Sequence, residues 1–185
     1  MTSTWSIEAP RLAMCASSIA IAVLALTPCG VSAEHALACK VTAVTDGDTL
    51  ICFDPARRKM EKIRMRGIDA PESNQAFGQR SKQSLSDLTY GKPATVSWSK
   101  RDRWGRILGV VWIEPADCTG CGHVLDANRT QLSLGMAWWF RRYASEQVAE
   151  ERLQYELEEI KARKRLVGLW IENEPVAPWD WRKSR

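Results

Sequence analysis

Five short β-prone runs separated by turn residues constrain this chain more than anything else in it. Residues 41–44, 49–53 and 62–65 are β-branched or alternating segments, the pattern of a meander, and 94–99 and 106–113 add two more across the connection 100–105. Strands this short would expose unpaired edges in an open sheet, so closure into a small barrel is the economical solution. Residues 75–90, polar apart from Phe77, Leu85 and Leu88 and followed by Gly91, predict a helix after the third strand. Asp126 is placed to cap a short helix through Leu134, stopped near Gly135. Residues 145–166 predict a long helix with Ala149, Leu153, Leu157 and Ile160 on its apolar stripe, terminated by Gly168. The expected fold is therefore α+β and mainly β: a small five-stranded barrel supported by about three helices.

A chain of 185 residues, 45% hydrophobic and 26% charged, suits one compact core. Its only histidines, His35 and His123, exclude mechanisms built on a histidine pair or a histidine-rich metal cage. The net charge of +4 permits a polyanionic partner without arguing for one.

The first 33 residues read as a cleavable signal peptide. Arg11 precedes an apolar run over 12–26, and Val31-Ser32-Ala33 supplies small residues at the cleavage positions; the run is too short to span a bilayer. Processing after Ala33 leaves a domain at 34–172 and a Pro/Trp-rich tail at 173–185, in a monomer with no membrane span, secreted or periplasmic. A lipoprotein anchored at Cys29 is the minor alternative, disfavoured by Pro28. Glu8 and Arg11 leave together, so the charge stays at +4.

Removal of the leader also takes Cys15 and Cys29, and an even count of four remains. In an oxidising compartment these fit two disulfides. Cys39 and Cys52 flank two β-runs around Asp46-Gly47, so opposed strands would bring them together, and Cys118-Thr-Gly-Cys121 fits a loop disulfide. A haem attachment would need histidine directly after Cys121, and zinc a fourth ligand that the locality lacks.

The residues that carry chemistry lie in three pieces: Asp46-Gly47-Asp48-Thr49, the run Arg64-Met65-Arg66-Gly67-Ile68-Asp69-Ala70-Pro71-Glu72, and Arg101-Asp102-Arg103-Trp104-Gly105-Arg106. Taken singly, the first is a hairpin turn and the third a charged surface turn. Taken together, they supply carboxylates able to hold a hard cation and arginines able to grip phosphate oxygens in a fork, which is a phosphodiester-hydrolysing arrangement.

These pieces, in this order, resemble the staphylococcal nuclease (thermonuclease) family over roughly residues 40–170. The resemblance implies a five-stranded barrel of the oligonucleotide-binding type with three helices, and a calcium-dependent endonuclease acting on DNA and RNA with little sugar specificity; it implies no stable protein partner. It implies calcium held by Asp48, Asp69 and the backbone carbonyl of Ala70, an attacking water positioned or deprotonated by Glu72, and a scissile phosphate gripped by Arg64 and Arg106. Arg103 and Trp104, and Phe140, Arg141 and Tyr143 within 135–143, fall where the family contacts nucleotides. Trp98 and Trp112 are expected in the core, Trp179 and Trp181 packed back onto the domain, and basic 161–165 as a solvated helix end. Two other readings compete: a binding module of the same fold without turnover, from which drift should have removed one of Asp48, Arg64, Asp69, Glu72 or Arg106, and a thiol redox protein using Cys118 and Cys121, which lacks the βαβ context such motifs need.

Overall fold

The computed structural model describes Met1 and residues 34–185. The expected signal segment, with Glu8, Arg11 and the alternative anchor Cys29, lies outside the described residues apart from Met1.

Strands β1 (His35–Asp46), β2 (Thr49–Asp54) and β3 (Lys59–Met65) form an antiparallel meander; β5 (Pro93–Arg101) and β6 (Ile107–Ile113) form a second hairpin after helix α1 (Gly78–Thr89). β1 is longer than expected because it serves two neighbours in succession. Its first half pairs with β5, from His35 opposite Trp98 to Lys40 opposite Pro93, and its second half with β2, from Lys40 opposite Phe53 to Asp46 opposite Thr49. Parallel pairing of Ile63, Arg64 and Met65 with Ile107, Leu108 and Gly109 joins β3 to β6 and closes the five-stranded barrel. Each of the five strands thereby has two partners within the barrel, which leaves it no open edge.

Six further pieces and two 3-10 turns complete the order: the two-residue strands β4 (Ile68–Asp69) and β8 (Trp138–Trp139), which pair with each other, β7 (Leu125–Asp126), and the helices α2 (Ala127–Ser133), α3 (Ala149–Lys164) and α4 (Pro178–Lys183). The side chain of Asp126 caps α2 as expected, accepting the Arg129 N–H at 2.9 Å. Inside the barrel Val41, Leu50, Ile63, Ile107, Val111 and Ile113 meet Leu85 of α1 and Leu132 of α2. Asn128 of α2 joins helix to barrel: it accepts the Val111 N–H and donates to the Arg66 and Gly109 carbonyls at 3.0 to 3.1 Å. A second cluster, Trp138, Ala162, Leu169, Trp170 and Ala177, gathers the C-terminal segments, and Trp179 packs against it as expected. The segment expected as a tail thus carries a docked helix. Trp98 and Trp112 are half-buried, Trp98 against the barrel core and Trp112 donating to Ser97 Oγ at 2.6 Å. Cys39 and Cys52 are buried with Cα atoms 5.6 Å apart, and Cys118 and Cys121 lie 5.9 Å apart, both within disulfide reach.

Helix α3 departs from expectation in extent and in orientation. It starts at Ala149, after a 3-10 turn over Arg141–Glu146. The supposed core stripe faces water: Leu153 is 56% exposed, Leu157 42% and Ile160 37%, and Ala149 is exposed as well. Tyr155, Glu159 and Ala162 are buried instead, with the polar atoms partnered. Tyr155 donates to Asp126 at 3.0 Å, and Glu159 accepts the Trp139 N–H and pairs with Arg141 and Arg163. The helix ends at Lys164, with Leu166 rather than Gly168 taking the left-handed turn (φ 52°) that lets the Val167 N–H reach the Ala162 carbonyl. Gly168 is required for another reason: a Cβ there would strike the carbonyl of Gly135, to which the Leu169 N–H donates at 2.8 Å.

The orientation of α3 predicts unequal costs along one helix. Leu157→Glu should change unfolding free energy by no more than about 0.5 kcal/mol, whereas Tyr155→Ala should lose about 4 kcal/mol; urea titration followed by far-ultraviolet circular dichroism measures both.

Candidate active site

The site begins with a backbone requirement. The β1–β2 turn places Gly47 against Ala70 and Ser81, where any Cβ would collide with both side chains, and its carbonyl accepts from Gln131 Nε2 at 2.9 Å. Asp48, next in the chain, is thereby turned inward beneath the β3–β4 connection. One of its oxygens accepts from Thr49 Oγ1 at 3.0 Å; the other accepts the Ala70 N–H at 2.7 Å and meets Arg64 Nη1 at 2.7 Å.

β4 brings Asp69 to the same place, pairing with Trp138 of β8 while the Phe140 N–H donates to the Gly67 carbonyl at 2.9 Å. Asp69 is buried, and its Oδ1 lies 2.7 Å from Arg64 Nη2. Arg64 donates further to the Met65 and Ile68 carbonyls at 3.2 and 3.1 Å, so its Nη groups sit between two carboxylates and two peptide oxygens. Burial pushes the Asp48 carboxyl up to about 8 against the pull of Arg64, and Asp46 and Asp69 push the same way. Two buried carboxylates this close favour more positive charge beside them than Arg64 alone supplies.

Arg106 enters from the β5–β6 turn. Asp102 accepts from the backbone N–H groups of Trp104 and Arg106 at 2.9 and 3.0 Å and from Arg106 Nε at 2.7 Å. Burial pushes the Asp102 carboxyl up, but these hydrogen bonds prevail and hold it below the usual carboxylate range. The pairing leaves both Nη groups of Arg106 without a hydrogen-bond partner among the described residues. Trp104 is 66% exposed, with the guanidinium groups of Arg103 and Arg106 4.1 and 5.1 Å from its ring centre.

These groups line one cleft of about 1060 Å³. Asp48, Asp69 and Glu72 form its acidic side and Arg106, Arg103 and Trp104 one wall. Phe140 and Tyr143 line it as well, their ring centres 5.1 Å apart at 74°. Ala70 is buried at the acidic side. Arg141, expected among the nucleotide contacts, is not in this cleft. It pairs with buried Glu159 at 2.7 Å and lies over the Trp139 ring, and its neighbour Arg142 lines the cleft instead. The 3-10 turn sets this one-residue choice. Asp102 lies in the third charged piece with no role expected for it, and Arg142 stands beside the expected Arg141; Arg182 of α4, which also lines the cleft and contacts Asp69 and Glu72 at 2.7 Å, carries no motif of its own.

The donor set suits a hard cation. Among the described residues no three side chains of His, Cys, Asp or Glu converge as a ready-made cage, so Asp48 and Asp69 would be completed by backbone and water oxygens. Calcium accepts such mixed oxygen shells, and the buried negative charge favours it.

The family model for staphylococcal nuclease homologues matches residues 62–172. The chain is 37% identical over 145 residues to a micrococcal nuclease of Shigella flexneri, covering 78% of this chain and 80% of that one. It is 34% identical over 146 residues to an uncharacterised endonuclease of Haemophilus influenzae, covering 79% and 73%. It is 33% identical over 173 residues to the protein ParB of Escherichia coli, covering 93% and 92%.

The two neighbouring arginines should separate cleanly. Arg141→Ala should cost about 2 kcal/mol of stability by stripping a partner from buried Glu159. Arg142→Ala should leave the melting temperature unchanged and weaken binding of single-stranded DNA severalfold at low salt. Thermal unfolding and fluorescence anisotropy read the two effects.

Proposed function

The chain belongs to the staphylococcal nuclease family and is a nuclease, a hydrolase of phosphodiester bonds, and from that premise we propose that it is an exported, calcium-dependent endonuclease that cuts both DNA and RNA. The observation that carries this reading is the convergence of Asp48, Asp69, Glu72, Arg64 and Arg106, from three separate stretches of chain, on one open cleft. A binding module without turnover would have no reason to keep the whole set.

In this reading Asp48, Asp69 and the Ala70 carbonyl hold the cation, which when bound offsets charge on the phosphate as a Lewis acid. Arg106, oriented through Nε by Asp102, offers two Nη groups to the phosphate oxygens in a fork. Arg64 fixes the two aspartates relative to each other and presents its positive charge to the same phosphate. Glu72, with its side chain 39% exposed at the cleft, is positioned to orient or deprotonate the attacking water. Trp104, Phe140 and Tyr143 provide aromatic faces for bases, and such stacking tolerates any base and either sugar. Arg103 and Arg142 track the backbone charge. Export is supported by the leader pattern at 1–33 and by the two close cysteine pairs, which an oxidising compartment would keep bonded. Among the described residues no helix is long and apolar enough to cross a membrane, and we take the processed chain to act as a monomer.

Digestion of plasmid DNA and of RNA by residues 34–185 tests the activity. Cleavage should require calcium, fall sharply with magnesium and cease in excess EDTA; full activity in the chelator would sink the metal assignment. Glu72→Ala and Arg106→Ala should each lower turnover on the order of a hundredfold with the fold intact. Arg64→Ala should lose activity and also stability, since it strands two buried carboxylates. Non-reducing peptide mapping of exported protein should recover Cys39 linked to Cys52 and Cys118 linked to Cys121; free thiols at all four would remove the argument for the compartment.

A further inference from the structure

Helix α4 delivers a cation into the acidic side of the cleft. Arg182 Nη2 lies 2.7 Å from Asp69 Oδ2, and its Nη1 lies 2.7 Å from Glu72 Oε1 and 3.4 Å from Asp69 Oδ1. Asp69 therefore has its shortest contact to Arg64 on Oδ1 and to Arg182 on Oδ2. Glu72 has no other side-chain ion pair among the described residues.

Anchoring the chain end does not require these contacts. Pro178 and Ala177 are buried, Gln75 Nε2 donates to the Val176 carbonyl at 2.6 Å, and Trp179 packs edge-on to Trp138 and stacks on Phe140 at 5.4 Å and 16°. α4 is held by those groups, and Arg182, with 43% of its side chain exposed, projects beyond them. Its two partners are the residue assigned to the cation and the residue assigned to water.

We propose that Arg182 is a positioning residue of the nuclease site, which aims the Glu72 carboxylate into the cleft and competes with the divalent cation for Asp69. The proposal rests on the reading of Asp48 and Asp69 as cation ligands and of Glu72 as the water-handling group. The physical case is direct. A guanidinium on Asp69 Oδ2 uses lone pairs that a hard cation needs, and its charge repels a divalent ion nearby. The same planar fork bridges two carboxylates, so it fixes Glu72 relative to Asp69 in a way a single-point ammonium does not. Arg182 thus weakens cation uptake and strengthens the chemical step, opposite effects from one side chain.

Calcium titration calorimetry and steady-state cleavage of single-stranded DNA, on the processed wild type, Arg182→Gln and Arg182→Lys, test it. Arg182→Gln should bind calcium at least fivefold more tightly, yet at saturating calcium show kcat lowered at least tenfold with KM changed less than threefold. Arg182→Lys, which keeps the charge and loses the fork, should bind calcium within twofold of wild type and still show lowered kcat. Calcium bound by wild type and by Arg182→Gln with equal affinity, or wild-type kcat in Arg182→Gln, overturns the role of Arg182 and leaves the nuclease reading standing. A wild type that takes up no calcium overturns the cation assignment and the competition with it. Loss of the near-ultraviolet circular dichroism of Arg182→Gln makes the residue a part of the fold and ends the proposal.

Discussion

The bridge from Asp48 through Arg64 to Asp69 is the interaction on which the rest of the site depends. Two carboxylates excluded from water repel each other, and one guanidinium between them removes the repulsion while fixing their separation. The bridge also joins three pieces of backbone, because Asp48 takes the Ala70 N–H while Arg64 holds the Met65 and Ile68 carbonyls. The β1–β2 turn, the end of β3 and the loop carrying Glu72 consequently move as one body.

Around that bridge the cleft is divided by charge. Of the acidic residues, Asp48 comes from the β1–β2 turn, Asp69 from β4 and Glu72 from the connection between β4 and α1, whereas Arg106, Arg103 and Trp104 come from the β5–β6 turn, and Phe140, Arg142 and Tyr143 from the segment after β8. Each wall has a separate support. Asp102 organises the β5–β6 turn, the β4–β8 pairing holds Phe140 beside Gly67, and Trp179 backs Phe140 from behind. A substrate phosphate between these walls would meet a cation-demanding side and a guanidinium side at once, the arrangement that stabilises charge developing on a phosphodiester.

Sequence disclosed the barrel because its signals are local. The Asp46-Gly47 turn, the alternation on either side of it and the cap at Asp126 each act within a few residues, and the structure places strands and helix accordingly. The three charged motifs were legible for the same reason. The buried face of α3 was not, since Tyr155 and Glu159 are polar by composition and become interior residues only through Asp126, Trp139, Arg141 and Arg163. Arg141 and Arg142 differ by one step in a tight turn that no periodicity marks. Arg182 was invisible because its partner Glu72 lies 110 residues away and an arginine in a short C-terminal helix has no signature of its own.

The parallel seam between β3 and β6 has a consequence for when the enzyme becomes dangerous. Arg64 lies in the seam and Arg106 adjoins it, on strands from distant parts of the chain. Contacts of such long sequence separation pay their loop-closure entropy before any reward and form late in folding. Until the seam zips, the two arginines are not near each other and no partial structure can mimic the finished cleft. An unfolded chain therefore lacks the assembled cleft, a latency that follows from topology alone.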